Sequence, residues 1–200
     1  MANLKRSQVE DSHWIGYTDI FASSLLILIL VTVVSAINNA NNQKPPLITL
    51  TESQFFRFDT GSHNLSEQFK QELERKLDKI TEDILKYNID TIEVIGHTDG
   101  QPSPGGSNLD FELIQNNDTI ASFNSTNFQA GSNMDLGLLR ALAVASFLKK
   151  QLSNRSVAVP YITTYSAGSL IDIEGRFNPA INLSDSKRRR IEIRFTRSQS

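Results

Sequence analysis

Apolar residues form one long block near the N-terminus and, beyond it, a series of short patterned segments. Residues 20–37 make a window of 18 residues with 14 apolar side chains and no charged one. A helix of that length spans about 27 Å, close to the hydrocarbon thickness of a bilayer. Trp14 and Tyr17 lie just before the block, where interfacial aromatic residues are expected. The pattern predicts a transmembrane helix over residues 14–37.

The N-terminal tail, residues 1–13, indicates the orientation of this helix. Lys5 and Arg6 favour a cytoplasmic tail, which places the rest of the chain in the periplasm or outside the cell. A cleaved signal peptide is the alternative, because Val34-Ser35-Ala36 fits a small-residue cleavage site. The tail also carries acidic residues, which are unusual in the basic leader of such a peptide. We therefore favour an uncleaved single-pass anchor.

Asp19 lies at the edge of the apolar block and allows two interpretations. It could cap the N-terminus of the helix or lie in headgroup water. It could also be an ionisable carboxylate held near the membrane, where it would load and release a proton. The residue alone leaves both interpretations open.

The rest of the chain is polar, and its hydrophobic periods alternate between those of strands and helices. Residues 38–46 form a polar linker that ends in two prolines. The predicted elements are an extended segment at 47–58, an amphipathic helix between Leu65 and Ile84 with Ser66 as its cap, a strand at 89–95, a helix near 135–152, and strands at 157–165 and 190–195. Their order, β-α-β-α-β-β, predicts an α+β domain over residues 47–197 with helices packed on one mixed sheet. The strict alternation at 190–195 is typical of an edge or half-buried strand.

A long insertion interrupts this domain at about residues 100–132. It contains no Lys or Arg and is rich in Gly, Pro, Asn and Ser. Connections of this length are either tolerated at the surface or have a function of their own. Apolar residues such as Leu109, Phe123 and Phe128 indicate that part of the insertion packs against the domain.

Composition and single residues exclude several functions. The net charge of −2 argues against bulk attraction to nucleic acid, and the absence of cysteine excludes disulfides and thiolate metal sites. His97 has no second metal ligand at a usable spacing, so we expect it to pack at a strand end. Neither an activated nucleophile nor a phosphate-binding loop is present in the sequence, and we expect neither catalysis nor a bound cofactor.

Three motifs occur in a fixed order along the domain. Gly96-His97-Thr98-Asp99 ends the second strand, an N-x-x-L-x-x-x-R-A pattern runs from Asn133 to Ala141, and an R-R-x-E-I pattern begins at Arg189. Over roughly residues 55–195 this order resembles the OmpA-like peptidoglycan-binding domain. The chain departs from the family in having Gly137 where a serine is usual and in the lengthened interval before Arg140.

The resemblance implies a site for the stem peptides of peptidoglycan. Diaminopimelate carries an amino group and carboxylates, which an acid and a planar cation recognise. In the family, the residues that match Asp99 and Arg140 provide these groups, and the residue that matches Asn133 adds amide hydrogen bonds. Thr98 is expected to support Asp99, and Arg189 is a weaker candidate.

The segment that enters the apolar block has a resemblance of its own. Residues 14–19 match the W-x-x-Y-x-D segment of MotB-type stator subunits, which the ZorB subunit of the Zorya anti-phage system shares. This resemblance implies that Asp19 carries an ion, H⁺ or Na⁺, through a complex with a polytopic MotA-like or ZorA-like ring. It also implies a self-dimer in the bacterial inner membrane, with the N-terminus cytoplasmic. The compact chain favours a ZorB-like subunit; a passive envelope tether or a secreted peptidoglycan-binding protein is the alternative.

Overall fold

The computed structural model describes residues 2–42, 46–103, 105–115, 120, 123, 128–155, 158 and 160–197. In the first helix, side chains are described at residue 14 and over residues 16–38. The chain divides into two compact units, Met1–Lys44 and Pro45–Ser200.

The first unit is a single helix, α1, that runs from Ala2 to Asn42. Its segment Gly16–Asn38 is long and apolar enough to cross a membrane. Every side chain described in α1 is exposed within the chain, so its apolar surface is uncovered. The helix starts well before Asp19, which excludes this residue as the helix cap. It also continues past the predicted start of the linker, and residues 43–45 lie outside the described part of the chain.

In its described residues, the second unit combines four strands with three helices. The strands are β1 (Leu47–Thr51), β2 (Thr91–His97), β3 (Tyr161–Gly168) and β4 (Arg190–Thr196), and the helices are α2 (Glu67–Tyr87), α3 (Leu109–Gln115) and α4 (Asn133–Ser153). The sheet order is β1-β4-β2-β3. β4 is antiparallel to both of its neighbours, whereas β2 and β3 are parallel. The unit therefore has the predicted α+β fold with a mixed sheet.

The position of β4 corrects the expectation of an edge or half-buried strand. β4 is an interior strand, because it pairs with β1 on one side and β2 on the other. Its charged residues Arg190 and Glu192 are buried together, with Arg190 Nε donating to Glu192 Oε1 at 3.0 Å. The alternation of charged and apolar residues thus reflects two buried faces, one of which is polar.

Capping and apolar periodicity explain the two long helices. Ser66 and Ser132 stand one residue before α2 and α4, and each hydroxyl accepts a hydrogen bond from a backbone N–H in the first turn at 3.1 Å. Buried residues of both helices cover one face of the sheet and form the main core. The core includes Leu73, Leu77, Ile80, Val144 and Leu148 of the helices and Ile92, Val94, Ile191 and Ile193 of the strands.

The remaining segments differ from prediction mainly in their bounds. Of the extended segment at 47–58, only the first five residues form a strand, and bends follow. β3 begins and ends later than the predicted strand at 157–165. The insertion includes α3, and Leu109 and Phe128 pack with Leu139 and Leu142 of α4 in a second apolar cluster. Part of the insertion therefore packs against the domain, as its apolar residues predicted.

Candidate functional site

A cleft of about 450 Å³ opens where the ends of several elements meet. Asp99 reaches it from the segment after β2, Asn133 and Arg140 from α4, and Arg189 from the residue before β4. Glu52, directly after β1, also lines it. Its volume suits a small ligand. The structure thus brings together four of the five residues predicted to bind peptidoglycan.

Asp99 lies at the floor of the cleft and is 4% exposed. One carboxylate oxygen, Oδ2, accepts hydrogen bonds from Arg189 Nη1 and, at 3.2 Å, from the backbone N–H of Asp185. The other, Oδ1, accepts from the backbone N–H of Gln101 at 3.3 Å. The ion-pair partner of Asp99 is therefore Arg189, and no ion pair within 4.0 Å joins Asp99 to Arg140, both of which are described.

Arg189 links Asp99 to a second carboxylate, that of Glu52. Its Nε donates to Glu52 Oε2, and its Nη1 donates to Asp99 and, at 3.3 Å, to Ser184 Oγ. Burial alone would lower the pKa of Arg189, but the hydrogen bonds and charges of Glu52 and Asp99 raise it above its usual value. Arg189 therefore stays charged and belongs to the centre of the cleft.

Arg140 is held by neutral groups. Its Nε donates to the carbonyl oxygen of Ser62 at 2.9 Å, and its Nη2 makes a longer hydrogen bond of 3.4 Å to that of Asp59. The guanidinium carbon lies 4.8 Å from the centre of the Phe58 ring, within cation–π range. Burial lowers the pKa of Arg140 to about 10, although Asp99 and Glu52 counteract this. The group is protonated at neutral pH, and no described carboxylate pairs with it.

The two remaining predicted residues have positioning contacts. Asn133 lies at the cleft, and its Nδ2 donates to the carbonyl oxygen of Gln101 at 2.9 Å, which ties the start of α4 to the segment after Asp99. Thr98 is buried below the cleft, and its backbone N–H donates to Gly168 at 2.8 Å. The Thr98 hydroxyl has no hydrogen-bond partner among the described residues. Thr98 thus holds the strand end rather than the carboxylate of Asp99.

The sequence-based reasoning missed Glu52 and Phe58. Neither belongs to a motif, and both lie in the segment that was expected to be extended up to residue 58. The bends after β1 carry Glu52 to Arg189 and Phe58 to Arg140. No signal in the sequence identifies Glu52, because its role depends on the pairing of β1 with β4.

His97 occupies the strand end beneath the cleft, where it was expected to pack. It is buried, and its Nε2 lies 3.2 Å from Glu192 Oε1 without forming a hydrogen bond. Within the described part of the chain, no group of three or more His, Cys, Asp or Glu residues could hold a metal ion.

The charged groups of the cleft are separated in space. On one side, the guanidinium of Arg189 lies between the carboxylates of Glu52 and Asp99, which leaves one negative charge in excess among these mostly buried groups. Arg57 also lies 3.8 Å from Glu52, but its side chain is 71% exposed, so solvent screens its charge. On the other side, Arg140 contributes a positive charge that forms no ion pair with any described carboxylate. Such an arrangement complements a ligand that carries one ammonium and one carboxylate group.

Comparisons with known proteins identify no family. No family model matches the sequence, and no curated protein matches it. Among solved structures, the chain is similar to the periplasmic domain of Helicobacter pylori MotB, at 20% identity over 78% of each chain and a TM-score of 0.48.

Two further structures are similar at lower scores. The cell wall anchor of the T6SS from Pseudomonas aeruginosa is 19% identical over 76% of this chain and 81% of that chain, with a TM-score of 0.38. The peptidoglycan-associated lipoprotein from Burkholderia pseudomallei is 16% identical over 74% and 89%, with a TM-score of 0.36. Similarities at this level establish neither a family nor a ligand, so the function proposed below rests on the residues of the site.

Proposed function

We propose that the second unit binds the stem peptides of peptidoglycan in the cleft, as a binding site and not a catalytic one. The separation of charge in the cleft carries this proposal. The excess negative charge shared by Glu52 and Asp99 receives an ammonium group, and Arg140 receives a carboxylate. The free end of a diaminopimelate side chain presents both groups on one carbon atom.

The two charged ends of the cleft differ in how they bind their groups. A guanidinium holds a carboxylate in its plane, and the hydrogen bond to Ser62 and the cation–π contact with Phe58 hold Arg140 in place for this. The negative charge of a carboxylate ligand would also offset the effect of burial, which lowers the pKa of Arg140. Asn133, at the mouth of the cleft, adds an amide that can bond the peptide backbone.

Binding to isolated sacculi tests this proposal. We expect Arg140→Ala to reduce the bound fraction of the protein at least about tenfold, because a hydrogen-bonded charge contributes about 1.5 to 3 kcal/mol. Arg75→Ala, which removes an exposed arginine from α2, is the matched control and should bind like the parent. Circular dichroism must show that both variants are folded. Equal binding by a folded Arg140→Ala variant would mean that the cleft is not the peptidoglycan site.

A second function concerns the first unit. We propose that α1 crosses the bacterial inner membrane with its N-terminus cytoplasmic, and that Asp19 carries H⁺ or Na⁺ in a MotB-like or ZorB-like motor subunit. The unbroken helix through Asp19 supports this over a cap role. A lone carboxylate facing lipid is unfavourable, so the proposal requires protein around Asp19, such as a second copy and a polytopic MotA-like or ZorA-like ring.

Replacement of the carboxylate tests the ion-carrying role. Asp19→Asn should leave assembly and sacculus binding intact but abolish ion flux, measured with a pH-sensitive and a sodium-sensitive dye in cells that express the chain with its polytopic partner. Asp19→Glu, which retains the carboxylate, should keep part of the flux. If the chain purifies without a polytopic partner, or if Asp19→Asn conducts normally, the passive tether is the correct description. Assays of motility and of phage resistance in the host cells then distinguish the two physiological outputs.

A further inference from the structure

Glu52 is fixed at the cleft by the backbone as well as by its side chain. Its backbone N–H donates to the carbonyl oxygen of Arg189 at 2.9 Å, which extends the pairing of β1 with β4 by one residue. Its carboxylate is mostly buried and accepts from Arg189, while the exposed Arg57 lies 3.8 Å away at the rim. The backbone of Glu52 is therefore held beside Arg189, within reach of its guanidinium.

The charge on the acidic side of the cleft depends on this residue. Arg189 is shared between Glu52 and Asp99, so the group of three carries one net negative charge. Without Glu52, Arg189 and Asp99 would form a neutral pair of one cation and one anion. An ammonium group would then meet no excess negative charge, and its attraction to the site would fall.

We propose that Glu52 is the residue that makes the site specific for a ligand with an ammonium group. Arg189 neutralises one of the two carboxylates, and Glu52 ensures that the other remains uncompensated and available to the ligand. This inference rests on the proposed function of the cleft, since it names how that site selects diaminopimelate from related stem peptides. Arg140 binds the carboxylate in either case, so Glu52 affects selectivity more than total affinity.

A pair of ligands that differ only in the ammonium group isolates this role. One is the tripeptide L-alanyl-γ-D-glutamyl-diaminopimelate, and the other carries 2-aminopimelate in its third position, with the far carboxylate retained and the far amino group replaced by hydrogen. Titration calorimetry gives both dissociation constants. We expect the parent to bind the first ligand about tenfold more tightly, because one charged hydrogen bond is worth about 1.4 kcal/mol or more.

The Glu52→Gln variant should lose this preference. We expect its ratio of dissociation constants to approach one, while its affinity for the aminopimelate ligand changes less than about threefold. Glu52→Asp, which restores the charge, should recover part of the preference. Glu67→Gln, at an exposed glutamate of α2, is the matched control and should keep the parental ratio.

The outcomes separate this inference from the function on which it rests. If the parent binds neither tripeptide, the proposed function fails. If the parent discriminates and folded Glu52→Gln discriminates equally well, the inference alone is wrong. It is also wrong if Glu52→Gln weakens both ligands by the same factor, because Glu52 would then only position Arg189.

Discussion

At the scale of single residues, the second unit contains a group of buried charges directly beneath the cleft. Glu192 accepts from Arg190 at 3.0 Å and from Arg194 at 2.7 Å, and it faces His97. The contact with His97 lowers the pKa of Glu192 to about 2, against the opposing effect of burial and with help from Arg194 and Arg190. This carboxylate is therefore charged in the folded protein over nearly the whole accessible pH range.

The lowered pKa of Glu192 predicts a loss of stability in acid. A carboxyl with a lower pKa in the folded state stabilises the fold above its unfolded value of 4.5, and this contribution disappears as the pH falls from 4.5 towards 2. A shift of that size is worth up to about 3 kcal/mol. Urea unfolding of Glu192→Gln should show a deficit against the parent at pH 7 that shrinks steadily below pH 4.5.

An exposed glutamate provides the control for this measurement. Glu82→Gln on α2 should match the parent at every pH, since its side chain is 66% exposed. A deficit of Glu192→Gln that stays constant between pH 7 and pH 2.5 would contradict the assigned cause.

The residues of the site show how far a sequence can be interpreted. Asp99, Arg140, Asn133 and Arg189 were identified because each belongs to a motif with a chemical meaning. The ion pairs among these residues were not identified, because an ion pair depends on which strand ends lie side by side. Arg189 appeared weaker than Arg140 for this reason, yet it is the residue that contacts Asp99.

At the scale of elements, the contact between α4 and β2 determines where the two sides of the cleft lie. A Cβ atom on Gly96 would lie 1.8 Å from the carbonyl oxygen of Gly137, and one on Gly137 would lie 2.4 Å from Ser166 Oγ. Helix and strand therefore touch backbone to backbone. The glycine at position 137 is explained by this contact, since Ser166 fills the adjacent space.

This close contact predicts that Gly96→Ala is strongly destabilising. The added methyl group must push α4 away from β2, and overpacking of this kind costs about 1 to 3 kcal/mol or more. Because Gly96 and Gly137 each precede a site residue by three positions, sacculus binding should weaken as well. Thermal unfolding checks the first effect and pull-down on sacculi the second.

Gly16→Ala is the control for the added methyl group. It lies in α1, where nothing in the chain comes within 4 Å of the new atom. This variant should unfold and bind like the parent. A Gly96→Ala protein with parental stability would show that α4 and β2 can separate freely.

The elements themselves were predictable where one period dominates. α2 and α4 follow from their apolar repeats, and α2 also from its cap at Ser66, and the match extends to within a few residues of their ends. β4 was misplaced because its charged residues suggested solvent on one side. Only the fold supplies His97, Arg190 and Arg194 as partners that allow Glu192 to be buried.

At the scale of the whole molecule, the two units have opposite surfaces. The described side chains of α1 are exposed and, over Gly16–Asn38, mostly apolar, whereas the second unit has a buried apolar core of its own. The apolar block at residues 20–37 already indicated this separation of apolar and polar segments in the sequence. What covers α1, lipid alone or lipid and further subunits, depends on molecules outside this chain and is what distinguishes a tether from a motor subunit.

The interior position of β4 also determines when the sheet can form during synthesis. Among the described strands, β1 is the first of the second unit and β4 the last, and β4 is the partner of β1. During synthesis, β1 therefore waits for a strand that emerges only after α4 and β3 are complete. If α1 is inserted in a membrane first, the remaining chain crosses it before the sheet can close. Under the proposed orientation, export of the second unit then precedes its folding, and the cleft, which needs Glu52 and Arg189 at the β1–β4 pair, is completed only after translocation has ended.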